Sequence, residues 1–183
     1  LMDIEPEIVA APDATPLEVT DGEVRFEDVT FDYTGGEPAL AHVTFTASPG
    51  KTVAVVGPSG AGKSTLVNLI PRFYDPAGGS IRVDGRELRE ITPASLRGAI
   101  GLVSQEATLF NDTVRANIAY GRALASDDEI AAAAKAAAAH DFISALPEGY
   151  GTVVGEGGVL LSGGQRQRIA IARAMLKDAP ILL

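Results

Sequence analysis

Eight consecutive residues, Gly57-Pro58-Ser59-Gly60-Ala61-Gly62-Lys63-Ser64, satisfy the pattern G-x-x-x-x-G-K-[ST], and Thr65 follows them. This composition suits phosphate. Glycines let backbone N–H groups converge on anionic oxygens without side-chain obstruction. A helix starting directly behind the loop turns the positive end of its dipole toward the anion. Lys63 supplies a mobile charge for the outer phosphates, and the Ser64 hydroxyl can ligate magnesium. A glycine turn with a chance lysine is the plain alternative. The context argues against it, because an apolar run, Thr52 to Val56, precedes the loop and a helix-compatible run from Lys63 to about Arg72 follows. The pattern predicts a nucleotide site.

Leu161-Ser162-Gly163-Gly164-Gln165, continued by Arg166-Gln167-Arg168, forms a second glycine-rich loop. Alone it reads as an N-capped helix with a glycine turn, or as a further anion site at a helix start. The two loops in this order resemble the Walker A and signature motifs of the ABC ATPase family. Other stretches carry the same resemblance. Tyr33, in Val29-Thr-Phe-Asp-Tyr33, is similar to the aromatic A-loop residue that stacks on adenine. Gln105, after Gly101-Leu-Val-Ser104, resembles the Q-loop glutamine that ligates magnesium and senses the membrane domain. Val154-Gly-Glu-Gly-Gly158 resembles the X-loop of exporters. Arg72-Phe-Tyr-Asp-Pro76 leading to Gly79–Gly85, and Leu109–Val114 with Asn117–Gly121, are similar to multidrug- and lipid-exporter domains rather than importer subunits.

The resemblance implies an ATP-binding motor domain of a membrane exporter, with ATP and Mg2+ as cofactors and Ser64 and Gln105 on the metal. Nucleotide contacts fall to Tyr33, to Gly57 through Thr65, to Gln105, and to Ser162, Gly163, Gly164 and Gln165. It further implies a head-to-tail pair of nucleotide-binding domains, each ATP lying between one P-loop and the partner's signature segment. The other partners are the exporter's transmembrane domains, which places the domain at the cytoplasmic face of the cell (inner) membrane. In the family four apolar residues, then an aspartate and a glutamate, follow the position of Ile181-Leu182-Leu183, where this sequence stops. His42 and His140 both precede the signature, so neither matches the switch histidine. No catalytic residue is assigned, and the expectation is an ATPase in the full-length parent and a truncated chain that binds without turnover. A soluble, non-transport ABC ATPase is the rival reading and predicts long insertions that this sequence lacks. A GTPase is disfavoured because no Asn-Lys-x-Asp guanine reader occurs.

The elements that must position these residues are legible as alternating strands and helices. Glu23 to Phe31 alternates around a register break, Gly35-Gly36 turns the chain, and Val43 and Phe45 continue a second strand. Thr52 to Val56 reads as a strand buried on both faces. Ile81 to Gly85 reads as a strand ending in a turn, and Ile100 to Val103 as a short buried strand. Ser126 with Glu129, and Ser162 with Gln165, have capping-box spacing. Ala131 to Ala139 reads as a plain surface helix, and a further helix reaches about Lys177. The expected fold is α/β, a P-loop NTPase-type mostly parallel sheet with flanking helices, an N-terminal antiparallel portion and a helical subdomain carrying the signature motif.

Residues 1–22, acidic and broken by Pro6, Pro12 and Pro16, read as a linker from a preceding transmembrane domain. Residues 23–183 read as a partial ATP-binding domain, with the helical subdomain at about 106–165. The 183 residues suffice for one domain with a core, and 46% hydrophobic with 21% charged residues is ordinary globular composition. The net charge of −9 is unevenly placed. Eleven of the 24 acidic groups but one of the 15 basic ones, Arg25, lie in residues 1–50, leaving −10 there and +1 in the remainder. That balance gives no basic footprint for nucleic acid, which is not an expected partner. Cysteine is absent, which excludes disulfides and thiolate metal sites.

Overall fold

The computed structural model describes residues 8–33 and 36–183, so part of the expected linker and of the Gly35-Gly36 turn lies outside the described residues. The fold is α/β, with an antiparallel sheet in its N-terminal part. The chain forms two compact units, one ending at Ile100 and one spanning Gly101–Leu183.

The first unit is built on β1 (Val24–Phe31), β2 (Leu40–Ala47), β3 (Gly78–Val83) and β4 (Arg86–Glu87), all antiparallel in the order β2-β1-β3-β4. The register break expected in β1 is a bulge. Asp28 adopts a left-handed φ of 52°, which lets Val24 and Phe26 before it and Val29 and Phe31 after it all face the core. Gly79 runs so close to this bulge that a Cβ there would collide with the carbonyl oxygens of Glu27 and Asp28. Asp84 and Gly85, with φ of 48° and 78°, close the β3–β4 hairpin, a turn that needs both central residues at positive φ.

That turn also holds the segment ahead of β1. The Asp84 carboxylate accepts from the backbone N–H groups of Thr20 (2.8 Å), Asp21 (3.2 Å) and Glu23 (2.8 Å). Burial pushes the Asp84 carboxyl up, but the amides of Thr20, Glu23, Gly22 and Asp21 outweigh it and hold the group below the usual aspartate range. Arg86 donates to the carbonyl of Pro16 at 2.7 Å, the Leu17 N–H donates to Ser95 Oγ, and Leu17 is buried. Residues 15–23 are thus strapped along the unit. Its helices are α1 (Lys63–Leu69) and α2 (Pro93–Gly98).

One strand expectation needs correction. Thr52 to Val56 belongs to no ladder, and Val53, Val55 and Val56 stand exposed, Val56 at 87%. A strand is buried on both faces only within a sheet whose two faces are covered, and among the described residues no segment pairs with these five.

The division falls within β5 (Ile100–Gly101), and the second unit holds α3 (Val114–Ala119), α4 (Asp127–Ala136), α5 (His140–Ser144), α6 (Gly163–Lys177) and β6 (Ile181–Leu182). Leu183 N–H donates to Gly101 O and Val103 N–H to Leu183 O, both at 2.8 Å, the slanted pattern of a parallel pair. Val114, Ile118, Ile130, Ile143, Val154, Ile169 and Leu176 form the core. The Ala131–Ala139 stretch is a second correction. It is not a plain surface helix, because Ala133, Ala134, Ala137 and Ala139 are buried in that core. Propensity states that alanine favours helix, not which face is covered; Ala138, at φ 52°, then ends the run before α5.

Candidate nucleotide site

In the first unit, residues 57–62 form an irregular loop that ends at Gly62, the N-cap of α1. Gly60 and Gly62 have φ of 82° and 81°. A Cβ at Gly62 would stand 2.5 Å from the carbonyl oxygen of Ala39 and 2.7 Å from Leu40 Cδ2, so glycine is required there by conformation and by space. At Gly60 the Cβ position is open, and Pro58, Ser59, Gly60, Ala61 and Ser64 are exposed. The helix has no side-chain cap hydrogen bond and no acidic residue in its first turn. Lys63 reaches back along the loop, donating from Nζ to Gly57 O (2.9 Å) and Pro58 O (2.6 Å). The ammonium is therefore folded back on two carbonyl oxygens of the loop that precedes α1.

Tyr33 stands beside this loop. Its hydroxyl is 3.0 Å from Thr65 Oγ1, on the buried side of α1 two residues beyond Lys63. Its ring packs edge-on with Phe31 and Tyr74 and remains 53% exposed. Thr65 and Tyr33, 32 positions apart, are brought together; that Tyr74 completes the group is not visible in the motifs, which mark Arg72–Pro76 only as a family stretch.

In the second unit Ser162 caps α6. Its hydroxyl accepts from Gln165 N–H (3.3 Å) while Gln165 Oε1 accepts from Ser162 N–H (2.9 Å), the reciprocal box that the spacing predicts. Gly163 and Gly164 are exposed with backbone outside the left-handed region, and a Cβ would meet nothing closer than an Arg166 nitrogen at 3.9 Å. Neither conformation nor packing within the unit demands glycine at these two positions. Before them, Gly155, Gly157 and Gly158 take φ of 76°, 60° and 74°, and a Cβ on Gly158 would press on Arg166 and Leu109. Gln105 is exposed in the loop after β5, where Ser104 Oγ donates to Glu106 O at 2.7 Å.

Asn117 and Arg173 brace this unit. Asn117, almost fully buried, donates to Phe110 O and Thr113 O and accepts from Phe110 N–H and from Arg173. Arg173 also donates to Asn117 O (2.8 Å) and Thr108 O (3.3 Å) and lies over the rings of Phe110 and Tyr120. Desolvation lowers its guanidinium from the ordinary arginine range. The strut ties α6 to the segment after Gln105, and no contiguous pattern advertises it.

Among the described residues no cluster of three His, Asp or Glu side chains offers a self-contained metal cage. The Ser64 hydroxyl in the first unit and the Gln105 side chain in the second are each exposed.

Comparison with known proteins gives a consistent result. The sequence profile of the ABC transporter family matches residues 40–183. The human ATP-binding cassette sub-family B member 6 is 52% identical over the whole chain, which covers 22% of that protein. The ATP-dependent lipid A-core flippase of Desulfotalea psychrophila (strain LSv54 / DSM 12343) is 53% identical, again over the whole chain and 32% of the relative. A bacterial Atm1-family ABC exporter solved with ATP bound superposes with a TM-score of 0.95 at 50% identity, over 99% of this chain and 32% of the other. The chain thus spans between about a fifth and a third of the length of these relatives. On the family profile and these identities together, the chain belongs to the ABC transporter family.

Proposed function

We propose that these residues are the ATP-binding part of the motor of a membrane exporter, working at the cytoplasmic face of its membrane. The loop at 57–65 holds the triphosphate: Lys63 turns from the Gly57 and Pro58 carbonyls onto the outer phosphates, and the first N–H groups of α1 take the inner ones. Ser64 and Gln105 hold magnesium, which when bound offsets charge between the outer phosphates. Tyr33 stacks on the adenine. Ser162, Gly163, Gly164 and Gln165 close over the nucleotide of a second copy, which makes ATP the adhesive of a head-to-tail pair. Its hydrolysis in the whole protein resets transmembrane segments that carry the cargo. No helix among the described residues is long and apolar enough to cross a membrane.

The observation that carries the reading is the contrast between the loops. Gly62 is fixed by its own unit, whereas Gly163 and Gly164 face open space at the start of a 15-residue helix. Glycines unneeded by their own fold, at the positive end of a helix, fit the close approach of an external anion. Sedimentation with and without MgATP tests this. The chain should shift toward a dimer with MgATP, and Gly164→Asp should abolish the shift while leaving ATP binding by the monomer intact. Dimerisation unaffected by that aspartate would remove the second loop from the nucleotide.

A further inference from the structure

Tyr33 is held by three contacts, and their geometry has a consequence for the face it presents. The ring centroid of Phe31 lies 4.8 Å away with the planes at 85°, and that of Tyr74 lies 5.3 Å away at 86°. Phe31 and Tyr74 are 5.5 Å from each other. Were they on opposite sides of Tyr33, that separation would be nearly twice as large. They pack on one side of Tyr33, among the described residues no third ring stacks on it, and it stays 53% exposed despite its two ring neighbours. The hydroxyl bond to Thr65 anchors the far end of the ring. Phe31 is buried in β1 and belongs to the core. Tyr74 is partly exposed, beyond the end of α1, and is the member of the trio that the core does not require.

We infer that Tyr74 is a positioning residue for the base of the bound nucleotide: it holds the Tyr33 ring upright, with Thr65, so that one face is presented to a purine. The inference rests on the proposed stacking role of Tyr33. Edge-to-face pairs contribute directional attraction beyond area burial. An unbraced tyrosine has to be ordered when the base arrives, and that entropy is charged against affinity. Tyr74 removes this cost without touching the nucleotide. It acts on the base alone, since Lys63 and the α1 amides hold the phosphates independently of it.

Titration calorimetry with MgATP and with magnesium tripolyphosphate, which has no base, tests this in the 183-residue chain. Tyr74→Ala should weaken ATP binding about two- to tenfold and leave tripolyphosphate unchanged. Tyr74→Phe, which keeps the ring, should bind as the parent does. Tyr33→Ala should weaken ATP about fivefold or more, and adding Tyr74→Ala to it should cost nothing further, as expected for residues acting through one contact. If Tyr33→Ala weakens ATP while Tyr74→Ala does not, the positioning role is overturned and the stacking role stands. Full affinity in Tyr33→Ala overturns both. Equal loss of ATP and tripolyphosphate in Tyr74→Ala, or failure of Tyr74→Phe to restore binding, also overturns the inference, because the ring would then support the fold rather than the base.

Discussion

Two glycines of the same type have opposite reasons for being there. At Gly62 an alanine would combine a left-handed backbone with a Cβ 2.5 Å from the Ala39 carbonyl oxygen. At Gly164 it would occupy open space on a helix. Denaturant melts should therefore separate them. Gly62→Ala should lower stability by about 2 kcal/mol or more, from backbone strain plus displacement of Ala39. Gly164→Ala should be neutral or stabilising by up to about 1 kcal/mol, the ordinary helix-propensity gain. Equal destabilisation by both would mean that Gly164 is structural, and would leave the open loop without a ligand to explain it. The loop proposed to hold phosphate is legible in sequence because its eight residues are contiguous, and the helix they imply does start at Lys63. Tyr74 and the Arg173–Asn117 strut were not, since each matters through partners 41 and 56 positions away.

At the scale of elements, sequence periodicity found most strands and both capping boxes, because bulge, hairpin and cap are local devices. It failed where tertiary packing decides. Alternation cannot state whether Thr52–Val56 has neighbours, and alanine propensity cannot state that Ala133 and Ala134 face a core. The strap at 15–23 was missed for the same reason, since its anchor, Asp84, is 61 to 64 positions away. That anchor makes a pH prediction. Its folded-state pKa lies below the ordinary 3.8, so its contribution is fully present above that value and is lost as pH falls through the folded value. The amide resonances of Thr20 and Glu23 should titrate together at a pH below 3.8, and Asp84→Asn should abolish the titration and weaken amide protection over 20–23. Titration at or above 3.8 would show that the amides do not hold the carboxylate. The asparagine variant should cost about 1 kcal/mol, the lower range for a charged acceptor that solvent partly reaches.

Across the whole molecule, charge and chemistry are divided. Residues 1–50 carry −10 and the remaining 133 carry +1, yet every motif lysine and arginine lies in the balanced part. The acidic segment includes the strap, and the residues proposed to contact nucleotide lie after it except for Tyr33. This separation fits a domain whose ligand is a compact polyphosphate rather than an extended polyanion. The central claim is that the 57–65 loop binds the phosphates of ATP through Lys63. Calorimetric titration of MgATP into the chain, beside Lys63→Ala shown by circular dichroism to be folded, tests it most directly. One site per chain is expected, with at least about tenfold weaker binding in the variant, as loss of a charge-assisted contact implies. Equal affinity in a folded Lys63→Ala chain, or no binding by the folded parent, would contradict it.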